Sequence, residues 1–252
     1  MLEIQALSKS YGSFQALDSL NLSVQSGELF GFLGPNGAGK TTTINILAGL
    51  LKPTSGTAKI AGFDIRRQPL QAKACLGYVP DTPLLYEKLT GREFLRFIQR
   101  LYKIDKEQPQ KAIDNLLELF ELKDRGNDLI QSYSHGMKQK IALAGVLIHE
   151  PKVILLDEPT VGLDPKSARL IKDILRELTG RGVTVFMSTH ILEIAEQMCD
   201  RVGIINQGKL LALGTPSELR QGDSLENIFL QLTGGADYSE LIRYLGEGPE
   251  HA

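Results

Sequence analysis

The chain has little of most features that would narrow its class at once. It carries two cysteines, Cys75 and Cys199, in 252 residues. They share no motif spacing, so reduced core residues are expected rather than a disulfide or a metal pair. It has no excess of either charge: 28 basic and 30 acidic residues give a net charge of −2. That balance leaves no electrostatic footprint for nonspecific nucleic-acid binding, and no nucleic-acid partner is expected. The longest apolar run, Ile141 to Ile148, falls far short of the roughly 20 residues that cross a bilayer. The start, Met1-Leu2-Glu3-Ile4-Gln5, lacks the charged-then-apolar pattern of a secretory leader. There is no internal repeat and no low-complexity segment. A cytoplasmic protein is expected; if it works at a membrane, another chain supplies the span.

What is present is an ordinary globular composition, 42% apolar, and one stretch around which the rest is organised. Gly34-Pro35-Asn36-Gly37-Ala38-Gly39-Lys40-Thr41-Thr42 fits the phosphate-binding loop pattern G-x-x-x-x-G-K-[ST]. An apolar run of buried-strand type, Leu29 to Leu33, precedes it. Thr43 to Leu50 reads as a helix, closed by small residues and then Pro53. Strand, glycine loop and helix is the context this motif requires. Gly34, Gly37 and Gly39 let the main chain approach a ligand closely. The loop amides and the start of the following helix then converge on phosphate oxygens. Lys40 would reach the β and γ phosphates, and the Thr41 hydroxyl would ligate Mg²⁺.

Before that loop, Leu2, Ile4 and Ala6 alternate, as do Leu20, Leu22 and Val24, with turns near Gly12-Ser13 and Ser26-Gly27. Tyr11, in the first turn, is either an aromatic face for an adenine ring or a surface tyrosine beside a turn glycine. After the loop, Gly56 to Gly62 and Leu76 to Pro80 read as strands. Asp81 follows at a strand end, where ligand-facing groups collect in α/β sheets, although a turn-starting aspartate looks the same.

Residues 83–130 change to helical periodicity. Thr90-Gly91-Arg92-Glu93 is a capping box ahead of Phe94, Leu95, Phe97, Ile98 and Leu101. A second helix starts at about Pro109 and carries Ile113, Leu116, Leu117 and Phe120. Leu84, Leu85 and Tyr86 at the entrance either dock a partner or pack this insertion onto the sheet. Ser134 is a plausible N-cap for a helix through Ile141, Leu143, Val146 and Leu147. That helix start is a second candidate anion site, or only a capped helix.

Val153-Ile154-Leu155-Leu156 reads as a strand buried on both faces, followed by Asp157 and Glu158. One carboxylate suits Mg²⁺ and the other suits an attacking water. In a chain with a phosphate loop this run reads as a Walker B element. Gly162-Leu163-Asp164-Pro165 is a turn before a helix over 166–179. Val183 to His190 reads as a strand ending in a histidine. His190 either bonds a γ-phosphate or caps the next helix. A hairpin around Gln207-Gly208, helical segments beyond Pro216 and a weak tail from Gly246 to Ala252 complete the chain.

Together these motifs resemble those of the ATP-binding cassette (ABC) ATPases, the motor subunits of ABC transporters, over roughly residues 1–220. The resemblance implies an α/β fold: a P-loop NTPase (RecA-like) core, an N-terminal antiparallel β subdomain, and an α-helical subdomain inserted at about 83–145. A short C-terminal helical extension would occupy 221–252. It also implies ATP and Mg²⁺ as ligands and ATP hydrolysis as the activity. Tyr11 would stack on adenine, and Lys40 and the loop would hold phosphates. Thr41 and Asp157 would serve Mg²⁺, Glu158 would be the general base, and His190 the γ-phosphate contact. Ser134, His135, Gly136 and Met137 would form the signature that meets nucleotide on a second cassette, with Asp164 lining that interface.

Two positions depart from the family pattern. The usual signature, Leu-Ser-Gly-Gly-Gln, is here Tyr133-Ser134-His135-Gly136-Met137. The serine and second glycine remain, and export-type subunits often carry such variants. Asp81 stands where the family usually has a glutamine; a carboxylate can also ligate Mg²⁺. The implied partners are transmembrane permease subunits on separate chains and a second cassette, a copy of itself or a paralogue. The implied location is peripheral, on the inner face of the cell membrane. A soluble ABC ATPase acting on ribosomes or DNA is the alternative. Such relatives usually carry two cassettes, long coiled coils or basic extensions, whereas this chain has one cassette and a mildly acidic balance. A small-molecule kinase would leave the Asp157-Glu158 pair and the signature helix unexplained.

Overall fold

Alternating apolar residues at the N-terminus build one sheet, and continuous apolar runs later in the chain build another. The computed structural model describes residues 1–104, 108–220 and 224–234. The tail at Gly246 to Ala252 and most of the 221–252 extension lie outside the described residues. Leu2–Tyr11 (β1) and Phe14–Val24 (β2) pair antiparallel around the expected Gly12-Ser13 turn. Each is one long strand. Leu29–Leu33 (β3) leads through the glycine loop into Lys40–Leu47 (α1). Ser55–Ile60 (β4) and Phe63–Asp64 (β5) complete a four-stranded antiparallel sheet in the order β2-β1-β4-β5.

The alternation expected on β1 breaks after Ile4. Ala6 is exposed with a φ of 46°, the pairing with β2 shifts between Ile4 and Leu7, and Leu7 enters the core in its place. A bulge inserts one residue and reverses the inward phase beyond it.

Pro69–Ala74 (α2) precedes Leu76–Val79 (β6). Gly91–Leu101 (α3) opens with the predicted capping box: Glu93 N–H donates to the Thr90 hydroxyl at 3.2 Å, and Thr90 N–H donates to the Glu93 carboxylate at 2.8 Å. Only part of the expected apolar stripe of α3 is buried. Phe94 and Leu95 lie in the core, while Phe97 and Leu101 are exposed. Pro109–Leu119 (α4) buries Ile113 and Leu117, and His135–Leu147 (α5) starts at Ser134 as expected.

The second sheet has the order β10-β9-β3-β8-β7-β6. Its remaining strands are Val153–Asp157 (β7), Thr184–Thr189 (β8), Arg201–Asn206 (β9) and Lys209–Gly214 (β10). Pro165–Gly180 (α6) joins β7 to β8, and Leu192–Met198 (α7) joins β8 to β9. The pairs from β9 through β6 are parallel, and β10 runs antiparallel at one edge. Every residue of β3 and β7 is buried, as a strand covered on both faces requires. On one face Phe30, Phe32 and Phe186 pack with α1 and the first sheet. On the other, residues of α3 to α7 form the second core. Cys199 is buried and Cys75 half-buried, both as free thiols.

The C-terminal segments are Pro216–Arg220 (α8) and Leu225–Thr233 (α9). Ser224 caps α9, Leu225 is buried, and Asn206 Nδ2 donates to the Thr233 carbonyl at 3.2 Å, which fastens α9 to the end of β9. Among the described residues no helix is long and apolar enough to cross a membrane.

Register places the motifs together. Leu33 on β3 pairs with Thr189 on β8, and Asp157 on β7 pairs with Ser188. Gly34, His190 and Glu158 each follow one residue later, so the three motifs emerge side by side at the carboxyl edge of neighbouring parallel strands. This is the edge where open α/β sheets bind ligands.

Candidate active site

A cleft of about 410 Å³ opens at that edge, lined by Tyr11, Phe14, the loop residues Pro35 to Gly37 and Gly39 to Thr42, Asp81, Asp157 and Glu158. The loop is held by close approach. Gly39 has a φ of 111°, and a Cβ there would stand 2.7 Å from the Ala16 carbonyl oxygen, so a side chain would meet both backbone strain and a clash. Gly34 and Ala38 lie buried beneath the loop; Asn36, Gly37 and Thr41 are exposed at its surface. The helix α1 begins at Lys40, three residues before the sequence suggested, and no side chain caps it. Its first amides therefore face the cleft as free donors.

Lys40 is buried, with Nζ donating to the Gly34 carbonyl at 2.5 Å and the Pro35 carbonyl at 3.2 Å. Burial pushes its ammonium below the usual lysine range, while the Glu158 and Asp157 carboxylates pull it back up. A cation bonded to two loop carbonyls and drawn by two carboxylates is positioned for anionic oxygens.

The carboxylates differ in their support. Asp157 ends β7 and accepts the Ser188 hydroxyl at Oδ1. Glu158 follows with a φ of 50°, its N–H directed at the Ser188 carbonyl. A non-glycine residue there stores strain that the surroundings must impose. Glu158 Oε1 accepts from His190 Nδ1 at 2.9 Å, while its Oε2 is buried with no hydrogen-bond partner. The Glu158 side chain is 15% exposed and that of His190 51%, so the carboxylate is shielded while the imidazole remains reachable. His190 lies just beyond β8 and does not cap α7, whose N-cap is Ile191.

Tyr11 ends β1 directly opposite Phe14 on β2, and both rings are exposed at the cleft mouth, with Lys9 Nζ 5.0 Å from the Tyr11 ring centre. Asp81 is exposed two residues beyond β6. With Asp157 it acts on Tyr78, whose hydroxyl burial first, and those charges second, push up to about 12. Among the described residues no group of three or more His, Cys, Asp or Glu is placed to hold a metal by itself. Thr41, Asp157 and Asp81 do line one cleft. That set suits a hard cation taking most of its shell from phosphate and water.

The remaining predicted residues form a separate cluster. Ser134 caps α5 by accepting from Met137 N–H at 3.3 Å. Asp164 caps α6 by accepting from Ser167 N–H at 3.0 Å; the Ser167 hydroxyl first, and that backbone N–H second, hold its carboxyl below the usual range. Gly136 stands close to Leu163 and Asp164. None of Ser134, His135, Gly136, Met137 or Asp164 lines the cleft. Two contributors were missed in the sequence. Ser188 left a trace as a polar residue inside a buried run. Phe14 left none, since its relation to Tyr11 depends on strand pairing.

The family model described as ABC transporter matches residues 17–161. The linearmycin resistance ATP-binding protein LnrL of Bacillus subtilis is 38% identical over 219 residues, covering 87% of this chain and 70% of that protein. The probable multidrug ABC transporter ATP-binding protein YbhF of Escherichia coli is 40% identical over 240 residues, covering 92% of this chain and 41% of YbhF. A solved ATP-binding subunit of an ABC transporter superposes with a TM-score of 0.87 at 33% identity, covering 92% of this chain and 99% of that one. A dimeric cassette in a post-hydrolysis state with ADP and Pi gives 0.78 at 28% identity, covering 85% and 98%. The chain belongs to the ABC transporter family, in which it is an ATP-binding and ATP-hydrolysing subunit.

Proposed function

We propose that the cleft holds one ATP with Mg²⁺ and that two cassettes close face to face on two such nucleotides. Adenine stacks on Tyr11, and Lys40 with the Gly34 to Thr42 loop takes the phosphates. Thr41 and Asp157 hold the cation, with Asp81 beside them. Mg²⁺ when bound neutralises charge on the β and γ phosphate oxygens. Glu158 orients and deprotonates the attacking water, and His190 contacts the γ-phosphate.

The observation that carries this reading is the Glu158 carboxylate. One oxygen is fixed by His190, and the other is buried with its hydrogen-bonding capacity unused. A buried acceptor without a partner costs free energy unless a substrate group or water completes it. Its sharing of one cleft with the loop and Lys40 supports a role for that acceptor in orienting an attacking water.

Ser134 to Met137 and Asp164 lie outside the cleft, which supports their acting on nucleotide held by a second cassette. That cassette is a copy of this chain or a paralogue. The γ-phosphate makes contacts across the interface that ADP lacks, so hydrolysis reopens the dimer. Transmembrane subunits on separate chains turn that motion into transport. A groove of about 290 Å³ lined by Leu84, Leu85, Phe94, Ile98 and Tyr102 lies between the helical insertion and the sheet, and is the surface assigned to them. The chain then works on the cytoplasmic face of the membrane. Export is the direction favoured, because relatives include a daunorubicin resistance ATP-binding protein of Streptomyces coeruleorubidus and a Nod factor export ATP-binding protein of Paraburkholderia xenovorans.

Glu158→Gln tests the reading. Hydrolysis is expected to fall by roughly 10²- to 10⁴-fold, the range of a lost general base, while MgATP binding persists and drives a stable dimer on size exclusion. A variant that remains monomeric in MgATP would remove the two-cassette mechanism.

A further inference from the structure

His135 turns away from its own helix onto the segment that follows Glu158. Its Nε2 lies 3.3 Å from the Val161 carbonyl oxygen. A carbonyl only accepts, so Nε2 carries the hydrogen. The ring rests against Gly162, which has a φ of 72°. A Cβ on Gly162 would stand 3.4 Å from His135 Cδ2 and 3.5 Å from Nε2. The next residue, Gly136, brings the α5 backbone equally near: a Cβ there would be 3.6 Å from Leu163 Cδ2 and 3.9 Å from Asp164 Oδ2. The first turn of α5 therefore sits directly on residues 161–164.

Val161 is bonded on both sides. Its N–H donates to the Glu158 carbonyl at 3.2 Å, and its own carbonyl accepts from His135. A short chain of backbone and side-chain hydrogen bonds thus runs from the residue after Ser134 to the backbone of Glu158.

We propose that His135 is a positioning residue that ties the signature turn to Glu158 through the Val161 carbonyl, so that each nucleotide site of the dimer senses the other. The proposal rests on the two-cassette reading above. There Ser134 meets the nucleotide of the partner cassette while Glu158 serves the nucleotide of its own. His135 makes a direct side-chain hydrogen bond between the two regions. A histidine fits the task because its rigid ring spans from α5 to Val161 across the bare face of Gly162, with few rotamers to lose.

The test compares His135→Phe, which keeps a flat ring over Gly162 without a donor, with His135→Gln, which keeps an N–H donor without the ring. Steady-state hydrolysis by the full chain is measured against ATP concentration, alongside the dissociation constant for ADP. Wild type is expected to show a Hill coefficient above one, as two coupled sites allow. His135→Phe is expected to lower kcat roughly tenfold, the scale of one lost hydrogen bond, and to bring the Hill coefficient to one. ADP affinity stays as in wild type, because ADP lacks the γ-phosphate that the signature turn meets across the interface. His135→Gln restores both kcat and cooperativity. If His135→Phe keeps wild-type kcat and cooperativity, or if His135→Gln is as impaired as His135→Phe, the hydrogen bond has no coupling role and the proposal falls. A wild type that hydrolyses ATP without cooperativity also overturns it while leaving the ATPase intact. A Glu158→Gln chain that stays monomeric in MgATP brings down the two-cassette reading itself.

Discussion

The Ser188 hydroxyl donates to Oδ1 of Asp157 across the β7–β8 pair, where the two residues stand in register. The Ser188 hydroxyl oxygen in turn accepts from the Glu158 N–H at 3.3 Å. Ser188 is wholly buried and Asp157 nearly so, so one small side chain fixes both acidic residues from the neighbouring strand. Ser188→Ala is expected to cost about 2 kcal/mol of stability, typical for a hydrogen bond to a charged acceptor. A carboxylate oxygen freed to rotate also weakens cation binding. Urea unfolding should show the lower midpoint, and hydrolysis should need more Mg²⁺ to reach half its maximum. An unchanged Mg²⁺ requirement would mean that Asp157 does not hold the cation.

Much of this site could be read from the chain because its parts are local. The phosphate loop, the capping box at Thr90 and the buried run ending in Asp157 are contiguous patterns whose geometry follows from residue type. What could not be read depends on strand register. The partnership of His190 with Glu158 joins residues brought together only by β7 and β8. The same holds for Ser188, whose polar character could have flagged it but whose partner could not. The bulge at Ala6 reversed the inward phase of β1, and the adjacent apolar pair Ala6-Leu7 is the one trace of it in the sequence. α1 starts earlier than its apolar pattern, because the glycine loop satisfies no helical pattern, yet Lys40 already belongs to the helix.

The pairing of Tyr11 with Phe14 gives a second prediction. At 49% and 61% exposed, these rings offer a large unpacked aromatic surface beside a polar cleft. An adenine ring stacking there is worth roughly 1–3 kcal/mol. Tyr11→Ala is expected to weaken ATP binding about tenfold to a hundredfold by titration calorimetry, whereas Tyr11→Phe should bind as wild type does. The triphosphate contacts are untouched in either variant, so inorganic pyrophosphate should bind all three proteins equally. Equal ATP affinity for Tyr11→Ala would show that the base lies elsewhere.

Lys40 ties the site to the pH dependence of the fold. Burial lowers its pKa from 10.5, with Glu158 and Asp157 only partly opposing the shift. The unfolded chain then binds the proton more tightly than the folded chain does. Between the depressed folded value and 10.5, the unfolded state carries more protons, so stability contributed at this position rises as pH increases. Below the folded value both states are protonated, and the full cost of the buried charge is present. Lys40→Met fills the same space without charge, which removes that cost and the rise with it. Unfolding free energies should therefore differ between wild type and Lys40→Met most at neutral pH, with the gap narrowing towards pH 10.5. The same variant loses an ammonium aimed at phosphate oxygens, so ATP affinity should drop roughly tenfold to a hundredfold. A wild type more stable than Lys40→Met at neutral pH, with that advantage lost above pH 10.5, would mean that Lys40 is stabilised as a cation by Asp157 and Glu158 rather than penalised by burial. The carboxylates would then be the groups left unpaired by the substitution.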